Sequence, residues 1–498
     1  MNLEPIVIGP VRAPRSIPGP RVAAFVYFLL ALVLTWPLAP GIARDLPGDL
    51  GHAMTECWAI GWDLHHLIGF FGGQVHALAG YWQANIFYPA PIALAYGEHL
   101  TGQALQALPV YLASGNLVLC YNLLVLSTFV LCGLGAYLFV REATGRSWPA
   151  LLAGLLYAFA PYRFTQLAHV EMLSAQWLPF ALYALLRYFR ARRGGALAGA
   201  VAAIVLQNLS CTAYLVFLLP ILAFVVAQIA WRDLWRDGRM WSDLAIAGLV
   251  VTIATLPVVW PYLHVQARGL VEGRGTSLLL DPRSYRMVAV LALALVAGYG
   301  AAAIDRLRFG AAGIAVIGLI ILVQAGTMPI ALDGQSADFN SHLVRVPQGP
   351  VPSPALFPLV YRFVAELPPA APIVELPFGE PALERYYMYF STAHWHPLLN
   401  GDGDLRPPAY LKHRAALRDI LANPDKAWAM LTISGTRYVV LHEAYYRDGR
   451  GAAVEAWLLA HDARQLATFG TDAVYALPAP QEPRAARVIS FPACRWIS

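Results

Sequence analysis

Arg44-Asp45-Leu46-Pro47-Gly48-Asp49 lies just past the first strongly apolar segment, Val22 to Pro40. It opens a long loop, 41–116, that holds Asp45, Asp49, Glu56, Asp63 and Glu98. The same loop carries His52, His65, His66, His76 and His99, with Arg44 as its only basic residue. The chain is 58% hydrophobic and only 13% charged. Such a sequence has gathered its proton-handling groups at one membrane face, which points to chemistry there.

A mean hydropathy of +0.53 over 498 residues places most of the chain in lipid. Crossing about 30 Å of hydrocarbon takes about 20 apolar residues. Nine runs approach that length: 22–40, 117–140, 147–160, 172–189, 195–210, 211–231, 242–264, 286–304 and 309–330, the third and fifth being short. Fourteen Trp and 24 Tyr suit two membrane–water interfaces. The net charge of +5 is spread along the loops, so no block of base suggests nucleic acid. The five cysteines have neither CxxC nor metal-ligand spacing, which argues against a disulfide framework and a zinc site.

Residues 1–21 read as a disordered cytoplasmic leader, and the run after Arg21 as an uncleaved first span without a small-x-small cleavage site. With the N-terminus inside, Arg141, Arg146, Arg187, Arg190, Arg192, Arg193, Arg232, Arg236, Arg239, Arg306 and Arg308 all fall in cytoplasmic connections. This is the bias expected of a multi-pass protein of the plasma membrane. One outward loop breaks it, with Arg268, Arg274, Arg283 and Arg286.

The predicted fold is an α-helical polytopic membrane protein with about nine transmembrane helices over 22–332. A small α/β domain over 333–498 follows on the outer, periplasmic face. Ile373–Pro377, Tyr438–His442 and Val474–Leu477 read as strands, and 408–434 as helical. Within the first outer loop, 50–70 and 100–115 read as interfacial helices, the former with Asp63, His65 and His66 on its polar side.

Asp49, on a turn beside the bilayer, could serve as general base to an attacking hydroxyl, since a carboxylate within hydrogen-bond reach suffices. Asp45 or Asp49 could equally cap the next helix. His52 and Glu56, four apart, could bind a divalent metal or lie on a solvated helix side. Asn85–Pro89 with Glu98 and His99 would suit sugar recognition or an aromatic belt. Arg163, with His169 and Glu171, stands at the edge of apolar helices, where ionisable groups are costly. Arg163 could hold a phosphate or snorkel to the interface. Arg268, Arg274, Arg283 and Arg286 could fork onto phosphate oxygens or meet anionic headgroups. His394, and the run from it to Tyr410, could face the same cavity. Asn400-Gly401-Asp402-Gly403-Asp404 has the beginning of a calcium loop without its closing Glu, and reads better as a turn.

Together these features resemble the GT-C superfamily of integral-membrane glycosyltransferases. The resemblance rests on the loop aspartate after the first span, the paired juxtamembrane helices, Tyr121-Asn122 through Arg141, and Ala150 to Pro161. Asn85-Ile86-Phe87-Tyr88-Pro89, Ala158 to Arg163 with His169, and Glu375-Leu376-Pro377-Phe378 with His394-Trp395 and Asn400-Gly401 resemble bacterial membrane proteins of the YfhO type. The resemblance implies transfer of a sugar from a polyprenyl-phosphate carrier to a glycan, lipid or protein acceptor. It also implies an inverting enzyme with Asp49 as base, assisted by Glu56 or Asp45. Glu98, His99, Arg163, His169, Glu171, Arg268, Arg274 and His394 would contact substrate, and a divalent metal is an open alternative. The spacing Asp45-x3-Asp49 departs from the Asp-Glu or Asp-x-Asp of many relatives. A transporter or flippase, or a non-catalytic assembly factor for lipid-linked glycans, is the rival reading. Transporters usually show related halves and charges near the bilayer midplane, and neither is evident here.

Overall fold

The computed structural model describes residues 18–74, 76–267, 282–307, 309–324, 328–334, 343–347 and 349–478. Helices come first, in chain order: α1 (Pro20–Leu34), α2 (Leu50–Phe71), α3 (His76–Ala79), α4 (Thr101–Ser114), α5 (Leu117–Thr144) and α6 (Ser147–Ala158). Two single turns, α7 (Pro161–Phe164) and α8 (Val170–Leu173), precede α9 (Trp177–Ala191) and α10 (Gly194–Asn208). Then come α11 (Tyr214–Trp231), α12 (Gly238–Ala267), α13 (Pro282–Ile304) and α14 (Gly310–Gln324).

Every apolar run carries a helix, but the helices are unequal. Among the described residues α5, α12 and the Arg283–Ile304 part of α13 are long and apolar enough to cross a membrane. Pro20–Leu34, Gly194–Asn208, Val216–Trp231 and Gly310–Gln324 are shorter apolar helices. The expectation of about nine spans is therefore not met at full length. The run 147–160 shows why: its helix has 12 residues, a rise of about 18 Å. Pro161 follows, and the residue before a proline is pushed out of the helical region, as Ala160 is at ψ 137°.

The bundle closes tightly where side chains are smallest. Tyr27 of α1 is fully buried and donates its hydroxyl to the Leu151 carbonyl at 3.0 Å. A Cβ on Gly154 would lie 1.9 Å from that hydroxyl oxygen, so α6 can approach α1 only through glycine. Small residues serve this purpose widely between membrane helices.

The remainder forms a mixed four-stranded sheet in the order β1-β2-β4-β3. Strand β1 (Ile373–Leu376) runs parallel to β2 (Tyr438–His442). Strand β4 (Asp472–Ala476) is antiparallel to β2 and to β3 (Arg464–Phe469). The strand β3 has no counterpart in the sequence reading, because none of its residues is buried and it lies at the sheet edge. Helices α15 (Leu359–Ala365), α16 (Pro381–Phe390), α17 (Pro408–Leu417), α18 (Pro424–Ile433) and α19 (Arg450–Ala460) complete this part. One buried apolar cluster runs from Tyr27 in α1 to Val439 in β2, so the sheet and the bundle share a core.

The loop that opens the sequence argument is built into that core. Gly48 donates to the Ala331 carbonyl at 2.9 Å, and Leu50 to that of Gly334 at 2.8 Å. The Leu46 amide donates to Asp333 Oδ1 at 3.0 Å. The segment after α14 thus clamps 46–50. Helix α2, expected to lie half-exposed, is instead buried along most of its length, Asp63 and His66 included. Asp63 Oδ2 accepts the Leu100 amide at 2.9 Å, just ahead of α4.

Candidate active site

A cavity of about 130 Å³ opens between α2, the 97–100 turn, the 169–171 turn, the start of α13, and the loop 402–406. Its lining includes five carboxylates, Glu56, Glu98, Glu171, Asp402 and Asp404. It also includes three guanidiniums, Arg283, Arg385 and Arg406, and the rings of His52 and His169. Three of the carboxylates come from the helical part, and two of the three guanidiniums from the C-terminal part.

The acidic cluster is assembled by one turn. Glu56 Oε2 accepts the Val170 amide at 2.7 Å, which sets His169 and Glu171 on either side of it. His169 Nδ1 lies 3.3 Å from Glu171 Oε1 and 3.9 Å from Glu56 Oε1. Burial, and Glu171 beside it, push Glu56 well above the carboxylate range. Burial works against ionising Glu171 too, but the hydrogen bond from Glu56, then His169 and Arg283, outweigh it and hold Glu171 down at about 2. The pair is thus pushed apart, Glu56 toward its protonated form and Glu171 toward its charged one. Glu98 accepts both the amide and the hydroxyl of Thr212. Burial, with Glu171 and Asp404 nearby, still raises it to about 8.

The ligand atoms of Glu56, His169 and Glu171 lie within 4.8 Å of one another. Two carboxylates and an imidazole suit a divalent cation. The set differs from the sequence pairing of His52 with Glu56. His52 lines the cavity and packs against His169 with ring centroids 4.6 Å apart and planes tilted by 44°, but it is not one of the three. Burial first, then His169 and Arg385, keep the His52 ring near 4 and therefore neutral at pH 7.

Asp49 stands at the rim rather than in the lining. Its Oδ1 accepts the His52 amide at 3.1 Å, capping α2. A Cβ on Gly51 would lie 3.1 Å from that oxygen and 2.5 Å from Arg385 Nη1, so Asp49 and Arg385 flank one glycine. Asp45 drops out of the cavity: Arg44 takes it at 2.7 Å, and its backbone carbonyl accepts from Asn122.

Other expected contacts are displaced as well. Arg163 is fully buried inside the bundle, donating to Thr128 Oγ1 at 3.1 Å and the Leu173 carbonyl at 3.3 Å. Its guanidinium sits over the rings of Phe129 and Tyr157, not in the cavity. His99 is buried behind the cavity wall against Trp82 and Tyr262. His394 bonds the His396 amide and stacks on Tyr361, away from the lining. Arg268 and Arg274 lie outside the described residues, whereas Arg283 from the same stretch lines the cavity and Arg286 covers Tyr162.

Arg385 has no counterpart in the sequence reading, and Arg406 enters it only within the run from His394 to Tyr410. Asp402 collects both, accepting from Arg385 Nε at 2.7 Å and from Arg406 Nη2 at 2.8 Å. The weak calcium pattern at 400–404 is thus a turn whose aspartate holds arginines. Asp402 lies 17 residues from Arg385 in sequence, a separation with no periodicity to betray it.

The chain is similar in structure to the arabinofuranosyltransferase AftD from Mycobacteria, at TM-score 0.60 and 15% identity, over 92% of this chain and 40% of that one. It therefore spans well under half of AftD's length. It also aligns with the archaeal oligosaccharyltransferase AglB from Archaeoglobus fulgidus, solved with an inhibitory peptide and a dolichol-phosphate, at TM-score 0.48 and 12% identity, over 93% of this chain and 74% of that one. A family model described as a domain of unknown function, DUF6311, matches residues 118–280. No curated protein matches.

Proposed function

We propose that this chain is a membrane glycosyltransferase that moves a sugar from a polyprenyl-phosphate carrier to a glycan, lipid or protein acceptor. The transfer would invert the anomeric centre and take place on the periplasmic side of a bacterial inner membrane. The observation that carries the reading is the cavity itself, which gathers buried carboxylates together with Arg283, Arg385 and Arg406. A fold shared with an arabinofuranosyltransferase supports it.

Asp49 is the proposed base. Glu56 and Glu98 hold their protons at neutral pH, and Glu171 is engaged by His169. Asp49 takes the proton of the acceptor hydroxyl as its oxygen bonds to the anomeric carbon. The bond from that carbon to the phosphate oxygen breaks, and its electron pair leaves with the carrier phosphate. Arg283, Arg385 and Arg406 stabilise the charge that develops there, the role oriented cations fill best in a cavity of low dielectric. A divalent cation held by Glu56, His169 and Glu171 would supply Lewis-acid stabilisation of the same phosphate.

The test is transfer from a polyprenyl-phosphate sugar by the full chain in membrane vesicles. Asp49→Asn is expected to lower the rate about 10²–10⁴-fold, the usual worth of a general base. Wild-type rates in that variant would remove Asp49 from the mechanism.

A further inference from the structure

We infer that Asp402 is a positioning residue: it fixes Arg385 and Arg406 as a pair over the cavity, so that the C-terminal part of the chain sets the affinity for a phosphate oxyanion. The identity of the ligand rests on the transferase reading above, while the arrangement of the pair does not.

Asp402 is 6% exposed, and each of its oxygens serves a different arginine. Two guanidiniums alone would repel each other and separate. A carboxylate between them cancels one charge and leaves a pair with a net charge of one, still attractive to an anion. Asp402 engages Arg385 through Nε, so the terminal nitrogens extend beyond it, Nη1 reaching α2 at Gly51. The Arg385 side chain is itself only 7% exposed.

The turn that carries Asp402 is held at both ends. The Phe87 amide donates to the Asn400 carbonyl at 2.9 Å, and the Leu405 amide to that of Tyr96 at 3.0 Å. The Gly401 amide donates to Glu384 Oε2 at 2.7 Å. Glu384 precedes Arg385 on α16, so one helix fixes both the turn and the arginine that the turn holds. Gly51 supplies the clearance on the opposite wall, since any Cβ there would meet Arg385 Nη1.

The experiment uses the full chain in vesicles with a polyprenyl-monophosphate sugar, and inorganic pyrophosphate as a competing anion. Asp402→Asn keeps the shape and removes the charge. Loss of charged hydrogen bonds predicts a donor KM and a pyrophosphate inhibition constant each raised about tenfold, with kcat lowered as well because the same arginines stabilise the leaving phosphate. Asp402→Glu should restore most of the affinity, and Gly51→Ala should shift both constants the same way. A lower kcat with both constants unchanged would mark Asp402 as merely structural and overturn the inference. Where no donor is turned over, pyrophosphate binding is read from the thermal midpoint. A rise in wild type that Asp402→Asn abolishes would uphold the pair and defeat the transferase reading. No rise in either protein would overturn the inference.

Discussion

The Glu56 carboxylate accepts the Val170 amide at 2.7 Å across 114 residues of chain. That bond ties α2 to the turn bearing His169 and Glu171, and so makes the acidic cluster a product of tertiary structure. Glu56→Ala should leave the buried amide unpartnered and cost about 1–3 kcal/mol. Glu56→Gln retains an acceptor oxygen and should unfold within about 1 kcal/mol of wild type. Both variants should lose any stimulation of transfer by divalent cations. Thermal unfolding separates the first pair of outcomes, and a metal titration of activity checks the second.

Asp49 both caps α2 and stands at the cavity rim, and two substitutions separate these roles. Asn caps a helix about as well as Asp, so Asp49→Asn should keep the unfolding midpoint while abolishing transfer. Asp49→Ala should lose about 1 kcal/mol of stability as well. A shared drop in midpoint would mean that the charge, not the cap, stabilises the turn.

Glu98 carries a pH dependence of known sign. Its carboxyl is raised from 4.5 to about 8, by burial first. The folded state therefore binds more protons than the unfolded between those values. Its contribution is complete below pH 4.5 and is lost as pH rises through about 8. Above that point a negative charge also appears beside the arginines, so the donor KM should climb. Glu98→Gln should flatten the alkaline limb of a KM–pH profile, and an unchanged profile would assign the limb to another group.

His442 predicts a second alkaline effect, in the sheet rather than the cavity. Its ring bonds Glu375 at 3.0 Å and Asp472 at 2.9 Å, between the rings of Tyr387 and Tyr445. Burial opposes the charged form, but the bonds to Asp472 and Glu375 carry it up to about 9. Stability from this ring is complete below 6.5 and is lost as pH rises through 9. His442→Gln should lower the unfolding midpoint most near pH 6 and least above pH 9. An equal deficit at both pH values would show that the ring acts by packing alone.

Much of the helical plan could be read from the chain. Each apolar run became a helix, and 50–70 and 100–115 became α2 and α4, because periodicity is a local property. The three foreseen strands were legible as short apolar runs, while β3 was not, because an edge strand needs no buried face. His169 and Glu171 were chosen as ionisable groups beside apolar helices, and both line the cavity. Arg163 was chosen by the same logic, and it instead sits over Phe129 inside the bundle. The cost of a buried charge flags a residue without saying what surrounds it.

By itself, then, the sequence determined a helical membrane chain, an acidic loop after its first apolar segment, and an α/β terminal part. Hydropathy and periodicity act over a few turns and need no distant partner. Only the tertiary structure moved Asp49 to the rim beside Arg385, set Glu56 on the Val170 amide, and brought Arg385 to Asp402. Those contacts join residues far apart in the chain, where no local pattern records which charge will meet which.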